Sequence, residues 1–158
     1  MWSGILPHEL GVTVGLRLLE PDLFSGWGIR TMSTEDAAYH PLDYHDGTVW
    51  PHDTALVAVG LARYGLRDEA ARLALAVVEA AGYFGDRLPE VFAGHDRAET
   101  GVPVRYPTAC SPQAWAAATP LSLISTLLGR TPDGDAGPHL PPGVTRLALT
   151  HRVRGASA

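Results

Sequence analysis

Lysine and asparagine are both absent from this 158-residue sequence, and all 12 basic residues are arginines. The 17 acidic residues outnumber them, which gives a formal net charge of -5 at pH 7. A protein that binds nucleic acid or an anionic membrane through its charge carries an excess of basic residues instead. We therefore expect neither nucleic acid nor a membrane as a partner.

Cysteine and long apolar runs are also scarce. The single Cys110 excludes an internal disulfide framework and is typical of a reducing compartment. No apolar run approaches the ~18 residues that span a bilayer, and the first residues lack the pattern of a signal peptide. With 46% hydrophobic residues available for a core, the sequence predicts a cytoplasmic globular protein.

Apolar periodicity predicts helices separated by long loops. Residues 9–19 fit a helix that stops before Pro21. Residues 51–64 form a second predicted helix with a proline in its first turn, and residues 67–81 form a third. The short connection between these two predicts an antiparallel pair. The buried stripe of the 67–81 helix is predicted to consist of Ala70, Leu73, Ala74, Val77, Val78 and Ala81.

The C-terminal third is predicted to contain one more helix and a strand. The helix is predicted to open at Ser111–Pro112, with the serine as its N-cap, and to end at Gly129. Pro120 lies inside it and is expected to kink it. Residues 131–143 are rich in proline and glycine, and residues 144–153 alternate partly, as in a short strand.

Two long loops precede the helices at residues 51 and 111, and such loops are usually functional. The loop-to-helix junctions at residues 50–53 and 110–115 both carry a tryptophan, a proline and a hydrogen-bonding side chain. If the two helices lie side by side and parallel, both junctions open on the same face. That arrangement is the one found at the loop end of a helical toroid.

Glu90 is the acid that the sequence singles out. It lies between Pro89 and Val91–Phe92, where a carboxylate is costly unless it is paired or used. Burial there would disfavour the charged form and would suit acid–base catalysis. The alternative is a structural carboxylate that pairs with Arg87 or Arg97.

Metal and thiol chemistry are weaker hypotheses. Three His-Asp pairs occur in loops, without the spacing that places two metal ligands on one helix face. The pairs are His45-Asp46, His52-Asp53 and His95-Asp96. We expect no metal and no cofactor. Cys110 has no histidine nearby in the sequence to act as a base, so a buried, inert thiol is expected.

Aromatic residues concentrate in the loops and at the junctions. Their faces can stack on the C–H faces of sugar rings while carboxylates and arginines bind the hydroxyls, so this composition favours a carbohydrate ligand. Core packing is the alternative for each tryptophan. The aromatic residues concerned are Trp27, Tyr44, Trp50, Tyr106 and Trp115.

Four blocks of sequence resemble the C-terminal part of the bacterial amylo-α-1,6-glucosidase family, which is related to the glycogen-debranching enzymes. They read FSGWGIRT at 24–31, YHPLDYHDGTVWPHD at 39–53, LPEVFAG at 88–94 and YPTACSPQAW at 106–115. The blocks come in the order and spacing of that family and cover about residues 9–130.

The resemblance implies a mainly α fold, an incomplete (α/α)6 toroid fragment with long loops. It also implies hydrolysis of α-glucosidic linkages, and of α-1,6 linkages in particular, by an inverting mechanism with two carboxylates. The glutamate after Leu-Pro in the family pattern is the general base, which corresponds to Glu90. Around the sugar the resemblance places Trp27, Arg30, Tyr44, His45, Trp50, His52, Gln113 and Trp115.

The sequence departs from the family in its extent. A closed toroid needs twelve helices, and this sequence predicts three or four. The family's catalytic acid lies upstream of anything present here, so the chain is expected to supply only the base. We expect residues 1–130 to be the C-terminal portion of the toroid domain and residues 131–158 to be a linker and tail.

Two kinds of partner follow from this interpretation: an α-glucan or glucoside substrate, and the missing N-terminal part of the toroid. The alternative function is a non-catalytic carbohydrate-binding or assembly module that docks on an N-terminal partner chain. The two hypotheses differ in whether the assembled protein releases sugar.

Overall fold

The computed structural model describes residues 1–131 and 134–147, and it is mainly α-helical with long loops, as predicted. Within these ranges, none of the helices combines the length and the apolar character that crossing a bilayer requires. The elements in chain order are α1 (His8–Arg17), α2 (Pro51–Arg63), α3 (Arg67–Gly82), α4 (Arg97–Thr100), α5 (Ala114–Leu127), β1 (Arg130–Thr131) and β2 (Gly134–Asp135).

Helices α2 and α3 form a hairpin around which the rest of the chain packs. Phe84, just after α3, stacks on Phe92 with 5.7 Å between ring centroids. Phe92 in turn pairs through its backbone with Val49, just before α2. The end of α3 therefore lies beside the start of α2, so the two helices run antiparallel, as the short connection predicts.

The core lies where α2, α3 and α5 meet. Leu61, Leu73, Val77 and Leu123 are completely buried there, and α5 packs against both helices of the hairpin. The predicted stripe of α3 is buried except for Val78, which is 39% exposed. Helical periodicity therefore identified the core face of α3 correctly at five of its six positions.

Helix α5 begins later than the sequence predicts. Its N-cap residue is Gln113, in an extended conformation with φ −111° and ψ 141°. The backbone N–H of Gln113 donates to the carbonyl of Leu88 at 3.4 Å. The predicted cap at Ser111 is wrong because this segment pairs with the chain around residue 88 before it turns into the helix.

The C-terminal end of α5 agrees with the prediction. The helix continues through Pro120, and Gly129 follows it at φ 73°, a left-handed conformation that favours glycine. The predicted strand at residues 144–153 is absent from residues 144–147, and residues 148–153 lie outside the described part of the chain. The two short strands lie earlier, with Arg130 paired to Asp135, in a stretch where the sequence predicted none.

The residues after β2 pack back on the helices. His139 contacts Asp68 of α3 at 2.7 Å, and its N–H donates to the carbonyl of Leu127 at 2.7 Å. Arg67 donates to the carbonyl of Ala136 at 3.2 Å. The division into a domain at 1–130 and a linker and tail at 131–158 stays a prediction.

The long loops are joined by backbone pairing above the N-terminal ends of α2 and α5. Antiparallel bridges connect Arg30 to Val49, Val49 to Phe92, and Phe92 to Arg105. Val49 and Phe92 exchange both hydrogen bonds, at 2.9 and 3.0 Å. Segments without periodicity in the sequence are thus ordered by contacts between residues distant in the chain.

Candidate functional site

Glu90 lies in a short segment whose flanking side chains are buried. Leu88, Val91 and Phe92 are completely buried, whereas Glu90 itself is only half-buried. Its backbone N–H donates to the carbonyl of Cys110 at 2.9 Å. Apolar neighbours therefore anchor this segment, and the carboxylate is the group that it presents to solvent.

The carboxylate of Glu90 is bound by an amide rather than by a guanidinium. Nε2 of Gln113 donates to its Oε1 at 3.0 Å. Arg97, one of the predicted ion-pair partners, instead binds Glu79 at 2.5 Å and places its guanidinium 4.1 Å from the ring centroid of Trp27. The alternative in which Arg97 neutralises Glu90 is therefore wrong.

Tyr44 is a second polar group beside Glu90. Desolvation raises the pKa of the Tyr44 phenol, and hydrogen bonding to Glu90 and the negative charge of that carboxylate raise it further. Cys110 and Tyr106 add smaller effects in the same direction. The phenol of Tyr44 therefore stays protonated beside the carboxylate and can donate a hydrogen bond there.

Four rings form an aromatic cluster next to this carboxylate. Tyr44 lies 4.7 Å from His45, 4.8 Å from Trp50 and 5.6 Å from Tyr106, measured between ring centroids. His45 and Trp50 are nearly parallel, with 4° between their planes. The structure thus brings three of the predicted site residues together with Tyr106, which the site prediction omitted.

Thr48 is hydrogen-bonded to two residues of this aromatic cluster, Trp50 and Tyr44. It is completely buried, and its hydroxyl accepts a hydrogen bond from Nε1 of Trp50 at 3.1 Å while donating to the carbonyl of Tyr44 at 2.8 Å. The bonds fix the orientation of the indole. Sequence reasoning gave Thr48 no role, because a threonine between a glycine and a valine carries no recognisable signal.

His52 and Trp115 form a second aromatic pair. Their rings are stacked, with 5.1 Å between centroids and 11° between planes. His52 lies in the first turn of α2 and Trp115 in the first turn of α5, so both junctions open on the same face, which is the arrangement expected if the two helices lie side by side and parallel. Trp115 is 52% exposed, which leaves much of its indole available to a ligand.

Two cavities flank these rings. One of about 350 Å³ lies beside Trp50 and is also lined by His45, Asp53 and Arg30. Another of about 210 Å³ lies between α2 and α5 and is lined by His52, Trp115 and several small side chains. Each cavity combines an aromatic wall with polar groups, which is the composition expected for a small polar ligand.

Trp27 is placed in the core instead of in the site. It is only 1% exposed, it packs edge-on against Tyr83 at 5.6 Å, and Arg97 covers its face. Its Nε1 has no hydrogen-bond partner among the described residues. Because the ring offers no open face, we leave Trp27 out of the proposed site, and core packing describes its role.

Arg30 mainly holds the loops together. It is 4% exposed, and its guanidinium donates to the carbonyls of Gly94 at 2.6 Å and Pro21 at 2.9 Å. It also pairs with Asp96 at 3.4 Å. Arg30 lines the cavity beside Trp50, but its hydrogen bonds are largely committed to the protein.

The structure bears on the two weaker hypotheses, thiol chemistry at Cys110 and metal binding by the His-Asp pairs. Cys110 is exposed, so the expectation of a buried thiol is wrong. Its carbonyl accepts a hydrogen bond from the backbone N–H of Glu90, which places Cys110 at the rim of the site.

In the ranges 1–131 and 134–147, no three histidine, cysteine, aspartate or glutamate side chains are grouped as a metal site would require.

Comparison with known proteins gives one family. The model of the Mannosylglycerate hydrolase MGH1-like glycoside hydrolase domain matches residues 5–93, more than half of the 158 residues. The matched range contains Glu90, Tyr44, His45 and Trp50. No curated protein matches the chain. The chain therefore belongs to the MGH1-like glycoside hydrolase family.

Proposed function

We propose that this chain carries the general base and part of the sugar-binding surface of an inverting α-glucosidase. The observation that carries the proposal is the setting of Glu90. Its carboxylate is half-buried, accepts a hydrogen bond from Gln113 at 3.0 Å and faces the phenol of Tyr44. A carboxylate held in this way can take a proton from water as the water attacks the anomeric carbon.

The rings around this carboxylate support a sugar ligand. Trp50 is half-buried and held by Thr48, and Trp115 is exposed and stacked on His52. Rigid aromatic faces of this kind bind the C–H face of a pyranose at a low cost in conformational entropy. Glu90, Gln113 and the imidazoles of His45 and His52 supply the polar groups for the hydroxyls.

Inversion also needs a carboxylic acid about 6.5–9.5 Å from the base, to protonate the leaving oxygen. We propose that this acid comes from an N-terminal part of the toroid that packs against the present chain. The exposure of apolar side chains supports such a partner, because the N-terminal segment, α1 and α5 present them to solvent. They are Trp2, Ile5, Leu10, Leu16 and Leu121, exposed by 57%, 82%, 47%, 45% and 63%.

Two substrate classes follow from the two resemblances. The four sequence blocks favour an α-1,6-linked glucoside, as at a glycogen branch. The matching family is named after a mannosylglycerate hydrolase, which makes a sugar joined to a small hydroxy acid the second class to test. We further propose a cytoplasmic location, where the exposed Cys110 stays reduced.

Sugar binding can be tested on the 158-residue chain by following its four tryptophan indole N–H signals in ¹⁵N NMR spectra. Isomaltose, maltose and mannosylglycerate are titrated separately, with mannitol as a polyol without a ring. We expect the indole signals of Trp50 and Trp115 to shift with a pyranose ligand, and the signal of buried Trp27 to stay fixed. If no sugar moves these two signals, the proposed site is wrong.

Hydrolysis is tested on the chain assembled with the N-terminal part of the toroid proposed above. Proton NMR is recorded during the first minutes of cleavage of an α-glucoside. Release of the β-anomer supports inversion, and release of the α-anomer contradicts it. An assembly that binds glucosides but releases no sugar would identify the chain as a non-catalytic module.

A further inference from the structure

In the side-chain amide of Gln113, the nitrogen makes a hydrogen bond and the oxygen makes none among the described residues. Its Nε2 donates to Oε1 of Glu90 at 3.0 Å, but its own Oε1 is buried and has no hydrogen-bond partner among the described residues. A buried acceptor without a donor is destabilising. Such atoms are uncommon in folded proteins, and each calls for a physical explanation, such as a bound water or a catalytic role.

The orientation of this amide follows from the chemistry of its partner. An ionised carboxylate only accepts hydrogen bonds, so the amide must turn its nitrogen toward Glu90 and its oxygen away. The oxygen can then be satisfied only by a donor that the described residues do not provide. A water molecule or the hydroxyl of a sugar has the required O–H group.

The main chain holds the two residues in register. The N–H of Gln113 donates to the carbonyl of Leu88, and the N–H of Glu90 donates to the carbonyl of Cys110. Each residue is thus bound to a neighbour of the other. This pairing brings the amide to the carboxylate before any ligand binds, so the contact is a fixed feature of the fold.

We propose that Gln113 is a positioning residue for Glu90, and that it couples the binding of an O–H donor to the charge of that carboxylate. The inference rests on the proposed function of Glu90. One oxygen of Glu90 stays engaged with the amide, which leaves the other to accept a proton. When a hydroxyl binds Oε1 of Gln113, the amide is polarised and its N–H bond to Glu90 strengthens.

Several titratable groups lie near Gln113 and Glu90, and their titrations must be distinguished from that of Glu90. Tyr44, Tyr106 and Cys110 influence one another at the site, but phenols and thiols ionise well above the range of a carboxyl group. The imidazoles of His45 and His52 lie in the neighbouring aromatic pairs. Histidines titrate about two pH units above a carboxyl group, so a variant at Glu90 is needed to assign the transition.

The sequence provides an unusually clean probe. Gln113 is the only glutamine and there is no asparagine, so the protein contains a single side-chain carboxamide. Its NH₂ pair is therefore the one carboxamide signal in a ¹⁵N–¹H spectrum. We propose to follow this pair from about pH 3 to about pH 7, the range in which carboxyl groups and histidines titrate, without a ligand and with isomaltose.

We expect the two NH₂ protons to separate as the pH rises, because one of them becomes bonded to a charged oxygen. The transition should disappear in Glu90→Met, which leaves Gln113 the only carboxamide. The control is Glu99→Gln, which adds a second carboxamide on exposed α4; its signals should not follow the transition. Isomaltose should move the bonded proton further downfield and shift the midpoint of the transition to lower pH.

Two outcomes would overturn the inference. A Gln113 signal that does not titrate would show that the amide is not bound to a charged Glu90. A transition that survives in Glu90→Met would assign it to a histidine. If Glu90→Met does not fold, Gln113→Met and Gln113→Glu serve instead. Both variants lose the amide that binds the charged carboxylate, so the inference requires each to have a lower Tm than the wild type above the transition and a Tm close to that of the wild type below it.

The role of Gln113 and the role of Glu90 as the general base can be disproved independently of each other. The NMR transition needs no catalysis. If the NH₂ pair titrates with Glu90 but the assembled enzyme keeps its turnover without that carboxylate, the coupling stands and the role of Glu90 as base is overturned. If the base is confirmed and the NH₂ pair does not titrate, only the role of Gln113 is overturned.

Discussion

The imidazole of His52 lies parallel to the indole of Trp115, with 5.1 Å between ring centroids and 11° between planes. The contact joins the first turn of α2 to the first turn of α5. It therefore brings two loop-to-helix junctions, more than fifty residues apart in the chain, onto one surface. The carboxylate of Glu90 reaches the same surface through Gln113, the N-cap residue of α5.

The first prediction concerns catalysis by Glu90. In the enzyme assembled with the proposed N-terminal part, Glu90→Gln should lower kcat at least ~10²-fold, as expected for the loss of a general base. The matched control is Glu99→Gln, the same chemical change at an exposed position of α4, which should leave kcat unchanged. Initial rates on isomaltose measure the effect, and circular dichroism checks the fold. Near-normal turnover in folded Glu90→Gln would disprove the assignment.

The second prediction concerns the chain by itself. Residues 1–158 should release no glucose from branched or simple α-glucosides, because the acid is expected on another segment. Their exposed apolar side chains should also bind the dye ANS and promote self-association. Leu121, on α5, is 63% exposed, so Leu121→Ser should reduce dye binding. A monodisperse monomer that melts cooperatively and releases glucose would contradict both expectations.

The third prediction concerns metals. Hydrolysis by two carboxylates and water needs no metal ion, so EDTA should not change the rate of the assembled enzyme. The rate is compared before and after dialysis against EDTA, and again after adding back single divalent cations. Loss of activity that one specific cation restores would show that a metal site has been missed.

The fourth prediction concerns stability at low pH. Hydrogen bonds from Arg17 and then from Ser33 lower the pKa of Asp22 from 3.8 to about 2. Because the pKa is lower in the folded state, the stabilisation is present above about pH 4 and is lost as the pH falls toward 2. Asp22→Asn should therefore lower Tm at pH 6 and converge with the wild type near pH 2.

The matched control for Asp22 is Asp86→Asn, the same change at an exposed carboxyl group. Its Tm should stay close to that of the wild type across the range. A difference between Asp22→Asn and the wild type that is constant from pH 6 to about pH 2 would show that the ion pair with Arg17 does not stabilise the fold.

The fifth prediction compares two glycines. A Cβ at Gly94 would lie 1.8 Å from the carbonyl oxygen of Gly47, whereas a Cβ at Gly82 meets nothing within 4 Å. Gly94→Ala should cost about 1–3 kcal/mol or more, as overpacking against a backbone does. Gly82→Ala, at the end of α3, should be neutral or stabilise by up to about 1 kcal/mol. Urea unfolding of both variants tests the contrast, and equal effects would disprove the close approach.

The helical part of the fold was predictable because it depends on local signals. The stripe of α3, the proline in the first turn of α2 and Gly129 after α5 are each read from a few neighbouring residues. The start of α5 was not predictable in this way. It depends on the bond between Gln113 and Leu88, and no local pattern shows that two distant loops will pair.

The site was predictable only in part for the same reason. Trp27 lies between two glycines and was expected to be presented to a ligand. In the structure Gly26 adopts φ 85°, and a Cβ there would meet the side chain of Arg97 at 2.7 Å. The glycine therefore permits close packing that buries the ring. Exposure of Cys110 likewise depends on the path of a loop, which residue type alone does not determine.

The backbone bridge between Val49 and Phe92 limits where the chain can accept inserted or deleted residues. Glu90 lies two residues before Phe92, so a single residue inserted or deleted between them would turn the carboxylate to the opposite side of the extended segment. The loop at 32–38 and the short α4 lie outside the paired positions. Relatives should therefore vary in length there, while the spacing from residue 88 to residue 92 stays constant.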